Sequence, residues 1–102
     1  MKTIYISHPY GGKWLNKVKA GKIIRKLQAK YPFYVFVSPI HNFSFANYKK
    51  TDYDLGMDWC LGLLSKCDEM WLCGDWKSSK GCRLEYDFCI ESQIKVKFLG
   101  EV

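Results

Sequence analysis

Apolar residues fall along this chain in two rhythms: short unbroken runs, and longer stretches spaced by three and four. Thr3–Ser7 (TIYIS) is a β-branched and aromatic run that predicts a buried first strand, ending in the turn His8-Pro9-Tyr10-Gly11-Gly12. From Lys13 to Lys30, Ala20, Ile23, Ile24 and Leu27 share one face while Lys19, Lys22, Arg25, Lys26 and Lys30 take the other, the pattern of an amphipathic helix. Pro32 stops it. Phe33–Ser38 (FYVFVS) predicts a second strand, left through Pro39-Ile40-His41, and residues 41–52 then read as a long polar and aromatic loop. A second helix is expected over Tyr53–Lys66, with Tyr53, Gly56, Met57, Cys60, Leu63, Leu64 and Cys67 on its core face. Leu55, Trp59 and Leu61 are left on its outer side. Met70–Cys73 is a third strand and Gly74–Lys80 a polar loop. A third helix begins near Gly81, capped by Ser78 or Ser79. Ile94–Phe98 alternates as a short parallel edge strand with its lysines outward.

Strands and helices taken in turn predict a three-layer α/β fold, an open parallel sheet of about four strands of the flavodoxin or Rossmann kind, in one domain over residues 1–102. In such sheets ligands gather beyond the carboxyl ends of the strands. That edge collects His8, Tyr10 and Gly11 after the first strand, His41 after the second, and Asp75 to Glu85 after the third. Residues 41–52 are placed to form a lid there, with Phe43, Phe45 or Tyr48 available to stack on a flat ligand; equally, they can pack as a simple cover.

Charge sharpens this picture. The net +6 conceals a first half, residues 1–51, with ten Lys or Arg and no acid, and a second half with six basic and ten acidic groups. The basic groups are spread along one helix and belong to no recognised nucleic-acid module. A solvated face that also attracts a small anionic ligand is therefore favoured, and nucleic acid is the less favoured partner. Four Trp and seven Tyr exceed what a small core hides, which points to rings in a pocket or a subunit contact. The outer Leu55, Trp59 and Leu61 predict a homo-oligomer formed through helix 53–66.

No apolar run approaches the ~20 residues of a membrane span, and the N-terminus meets polar residues too early for a signal peptide, so a cytoplasmic protein is expected. Cys60, Cys67, Cys73, Cys82 and Cys89 form no CxxC pair and stand at no zinc-finger spacing from either histidine, so reduced, mostly buried thiols are expected and no metal or other cofactor is implied.

The stretch 68–91 carries the most chemistry. A strand, a polar loop with Ser78 and Ser79, Gly81 and a helix start together point free amides and the positive end of a helix dipole at the loop. Glu85 sits one turn into that helix. By spacing alone it is either a first-turn carboxylate that favours the dipole or a reactive group facing a bound anion. Asp58 can be a surface acid, a subunit salt bridge or a ligand-facing group.

The segments YISHPYGG (5–12), Ser38-Pro39, LLSKCDEM (63–70) and GDWKSSKGCRLE (74–85) resemble a family of small phage and bacterial proteins, domain of unknown function 4406, itself similar to the nucleoside 2-deoxyribosyltransferases. The resemblance covers nearly the whole chain. It implies a nucleoside 2-deoxyribosyltransferase-like domain acting at the N-glycosidic bond of a deoxynucleoside or its 5′-monophosphate, with Glu85 as the nucleophile at C1′. Asp58, Asp75 or His8 would then help protonate the departing base, and Ser79 and Gly81 would hold a 5′-hydroxyl or 5′-phosphate. His8 departs from the pattern, standing where those enzymes carry a glycine or a small polar residue. Two other roles use the same residues: a non-catalytic nucleotide-binding or sensing protein, and a nucleic-acid-binding protein that uses the basic first helix.

Overall fold

A computed structural model describes residues 1–100. Their order is β1 (Thr3–Ser7), α1 (Trp14–Lys30), β2 (Val35–Val37), α2 (Pro39–Asn42), α3 (Tyr53–Leu64), β3 (Glu69–Cys73), a single 3₁₀ turn (Trp76–Ser78), α4 (Lys80–Ser92) and β4 (Lys95–Gly100). All four strands are parallel, in the order β2-β1-β3-β4, so β1 and β3 form the buried centre. Four helices flank this sheet in a Rossmann- or flavodoxin-like α/β arrangement.

The period-2 alternation of β1 divides the core into two layers. Ile4 and Ile6 pack with Ile23 and Leu27 of α1 and with Trp71 and Cys73 of β3. Tyr5 faces the other way, among Leu64, Cys67, Met70, Leu72, Cys82 and Cys89 between the sheet and helices α3 and α4. Thr3 and Asp68 tie the amino ends of the central strands together. The Thr3 amide donates to Asp68 Oδ2 at 2.7 Å, and the Asp68 amide donates to the Thr3 carbonyl at 2.8 Å. The Cys67-Asp68 pair thus sits at the edge opposite the carboxyl ends, as a clasp.

Three expectations need correction. The second strand is only three residues long, and Phe33, placed in it by its apolar run, stands outside it with 75% of its surface exposed. The polar loop opens with a helix: Ser38 Oγ accepts from the His41 amide and Pro39 occupies the first turn, a cap-and-proline start. Most consequentially, the apolar face of α3 is only partly core. Leu64 and, just past the helix, Cys67 are buried, whereas Tyr53, Gly56, Met57 and Cys60 form the wall of a cavity. Leu61, expected outside, packs on the core, while Leu55 and Trp59 remain exposed as expected. Among the described residues no helix is long and apolar enough to cross a membrane, and all five cysteines are free thiols.

Candidate functional site

A cavity of about 760 Å³ opens over the carboxyl ends of β1 and β3, a size within the usual range for small-molecule sites. The turn after β1 supplies His8, Tyr10 and Gly11, and α1 adds Lys19. Residues 43–52 form the roof with Phe43, Ala46 and Tyr48. The far wall is the face of α3, and the segment Gly74–Glu85 closes the β3 side with Asp75, Ser78, Ser79, Lys80 and Gly81.

Each wall has a local cause. Gly12 stands at φ +75°, in the left-handed region open to glycine, and a β-carbon there would lie 2.7 Å from the Tyr48 ring. Glycine at this position therefore lets the roof come down onto the turn, where Tyr48 meets Tyr10 edge-on at 5.4 Å. Asn16 Nδ2 donates to the Tyr10 carbonyl at 2.9 Å, and His8 Nδ1 donates to the Pro9 carbonyl at 2.7 Å, which fixes the tautomer of that ring. At α4, Ser79 is the cap, accepting from the Cys82 amide at 3.2 Å. Lys80 lies 5.0 Å from the Tyr53 ring centre, a cation held over an aromatic face beside the helix start.

Glu85 forms the floor. Only 6% of it is exposed, and its carboxyl is gripped by two hydroxyls of β1: Tyr5 Oη donates to Oε2, and Ser7 Oγ donates to Oε1 at 2.7 Å. No cation pairs with it, because the one ion pair among the described residues is Lys2–Glu69. Burial pushes the Glu85 carboxyl up to about 7, with the Tyr5 and Ser7 hydroxyls pulling it back toward the ordinary range. Burial, and then the nearby Glu85 charge, push the Tyr5 phenol well above its usual value, so it stays a donor. Cys60 borders the same floor, its thiol pushed up to about 11 by burial and then by Glu85, which keeps it protonated and unreactive. A carboxyl held this way can serve as a nucleophile when ionised and as an acid when neutral, near neutral pH.

The residues singled out from sequence divide into two groups. Glu85, Asp75, His8, Tyr10, Gly11, Ser78, Ser79 and Gly81 all line the cavity. Asp75 is exposed at its rim, where its carboxylate accepts from the Ser78 hydroxyl. Asp58 and His41 do not join them. Asp58 is exposed on α3, on a different side from the lining Met57 and Cys60. His41 lies in a separate shallow depression with Gly21, Arg25 and Ser38, its Nδ1 2.7 Å from Ser38 Oγ. Burial, and then the positive Lys17, depress its ionisation. Tyr5 and Ser7 were missed, because a buried strand reads as core; the available signal was that both fall on one face of β1.

A family model described as Domain of unknown function (DUF7768) matches residues 2–99, and the chain belongs to that family. This overturns the resemblance to domain of unknown function 4406 drawn from the four short segments. One of them, the Cys67-Asp68 pair, has a purely structural use here. No curated protein matches the chain.

Proposed function

We propose that this protein cleaves or transfers at the N-glycosidic bond of a deoxynucleoside or deoxynucleoside 5′-monophosphate, with Glu85 as the nucleophile. The observation that carries the reading is the Glu85 carboxyl: buried at the floor of a nucleotide-sized cavity, unpaired with any cation, and oriented by two hydroxyls. On this reading the fold is nucleoside 2-deoxyribosyltransferase-like in its use of the sheet edge. The sugar lies over Glu85, its 5′ end toward Ser78, Ser79 and Lys80 at the start of α4, and the base lies under Phe43 and Tyr48.

The ionised carboxylate attacks C1′ and the C1′–N bonding pair leaves with the base, which takes a proton from the neutral carboxyl of Asp75 or from Nε2 of a doubly protonated His8 at the rim. Tyr5 and Ser7 hold the attacking oxygens in line and relinquish part of their hydrogen bonding as the ester forms. Water, or a second base, then attacks C1′ and returns the carboxylate. Asp58, outside the cavity, has no part in this sequence. Self-association through α3 belongs to the same proposal, since Leu55 and Trp59 are 48% and 36% exposed beside the cavity's aromatic roof, where Phe43 meets Trp59 at 5.9 Å.

Incubation with each deoxynucleoside and its 5′-monophosphate, followed by chromatography for free base, tests the reading. Base release lost in Glu85→Gln supports it. Nucleotide binding with no base released from any of them would leave the protein a binding module.

A further inference from the structure

The six Lys and Arg of α1 are all without ion-pair partners, the one pair among the described residues being Lys2–Glu69. Four of them, Lys19, Lys22, Lys26 and Lys30, are separated by three, four and four residues and so run down one flank of the helix, beside the buried Ala20, Ile23 and Leu27. The stripe covers about 16 Å at the helical rise.

Its two ends are not arbitrary. Lys19 is in the wall of the cavity. Lys30 meets β4 at the other end, where Lys30 and Lys97 stand 5.5 and 5.7 Å from the centre of the same Tyr31 ring and Lys97 also lies 4.6 Å from Trp71. The short α2 meets α1 beside Gly21, and toward Lys30 α1 is joined by the rings of Tyr31, Tyr34 and Phe36. Phe33, three residues past Lys30, presents a largely exposed ring. The result is a row of five cations, held over rings or free in solvent and not over carboxylates. A phosphate can therefore approach each one without displacing an acid.

We propose that this row binds the backbone of a single-stranded nucleic acid and leads it to the cavity; the second half of the statement rests on the glycosidic reading above. A single strand fits where a duplex does not. The row occupies one narrow helix flank and ends at a pocket, and only an unpaired base can leave its stack to reach a floor as deep as Glu85. The exposed Phe33 ring offers a base a stacking surface at the other end. The cavity then receives a nucleotide belonging to a polymer, and the phosphates of its neighbours rest on Lys22, Lys26 and Lys30.

The test is fluorescence anisotropy with a labelled oligothymidylate of about twelve nucleotides, the matching duplex, and heparin as a plain polyanion. The expected result is preferential single-strand binding that weakens with salt at a log–log slope of roughly −2 to −3, as about four phosphate contacts require. The pair Lys22→Glu/Lys26→Glu should weaken it by about tenfold or more, and Lys66→Glu/Arg83→Glu, both exposed and away from the row and the cavity lining, by less than about twofold. Thermal melting checks that each variant is folded, and Lys22→Gln/Lys26→Gln replaces the first pair if it is not. Absence of binding, equal loss in both pairs, or duplex or heparin bound as tightly as the single strand would each overturn the proposal. Base released from mononucleotides without oligonucleotide binding sinks this inference alone. Single-strand binding without base release from any substrate keeps the cation row and sinks the glycosidic reading instead.

Discussion

Two glutamates stand at opposite ends of this sheet, each with little surface exposed, and they ionise in opposite directions. Glu69 opens β3 at the amino edge, 7% exposed; Glu85 lies beyond the carboxyl edge, 6% exposed. Glu69 receives Lys2 Nζ at 2.9 Å and the Trp71 indole N–H at 3.2 Å, and the Lys2 hydrogen bond holds its carboxyl below the ordinary value. Glu85 receives two hydroxyls and no cation, and burial dominates, pushing it up to about 7. Low exposure alone therefore does not single out a reactive carboxylate, since Glu69 lies just beneath the surface and Glu85 deep below the cavity. What matters is whether the buried charge is given a counter-ion, which makes it a structural pin, or only neutral donors, which orient it and leave its protonation adjustable near neutral pH.

The sharpest way to break this contrast is to neutralise each acid in turn. Glu85→Gln, which removes the nucleophile, should lower base release by roughly 10⁴–10⁶-fold with the fold intact, while Glu69→Gln should leave it unchanged; chromatography of the free base decides. Equal activity in the two variants would remove the distinction between the sites.

Stability should also separate them by sign. Between about pH 4.5 and pH 7 the unfolded chain has lost the Glu85 proton while the folded chain keeps it. The folded state then binds more protons, and stability falls as pH rises through that window, by about 3 kcal/mol from this group. Urea unfolding at pH 5 and pH 7.5 should show that fall in the wild type and a flatter response in Glu85→Gln. Glu69, held below its ordinary value, works in reverse. Its contribution is present above that value and is lost as pH falls through the folded one, so Glu69→Gln should soften only the acid limb. Identical pH slopes in both variants would contradict the assignment.

Tyr5→Phe removes a donor to the Glu85 carboxylate and leaves its desolvation in place. If Glu85 must be ionised to react, the rise of turnover with pH, centred near 7, should move upward by roughly 1–2 pH units. A pH–rate profile that does not move would show that Tyr5 is packing and not a positioning residue. The smallest effect is expected at the roof. Gly12→Ala asks a non-glycine residue to hold φ +75° while displacing the Tyr48 ring, at a stability cost of about 1 kcal/mol. It should raise KM for the nucleotide more than it lowers kcat, because in the proposed binding mode the roof touches the base and not the reacting atoms.

Much of the architecture was legible in the chain because periodicity reports which side chains share a face. β1 was found with its exact bounds. Ser79 emerged as one of two possible caps of α4, and Glu85 as the carboxylate one turn into it. The errors fall where a face alone is insufficient. The apolar stripe of α3 was read as core, yet Tyr53, Met57 and Cys60 face an opening, since an apolar face looks the same in sequence whether it meets another side chain or a void. His41 was credible from its place after the second strand and Asp58 from the family resemblance, but His41 lies in a separate depression and Asp58 on an exposed side of α3.

What the sequence determined by itself, then, was the four strands and the three longer helices, their parallel α/β arrangement, and a carboxylate one turn into the last helix. Only the tertiary structure decided that Tyr5 and Ser7, 80 and 78 residues away, hold that carboxylate, and that no cation does. Local spacing sets which way a side chain points. What stands opposite it, and hence whether a buried charge is paired or left to burial, is settled when distant segments pack.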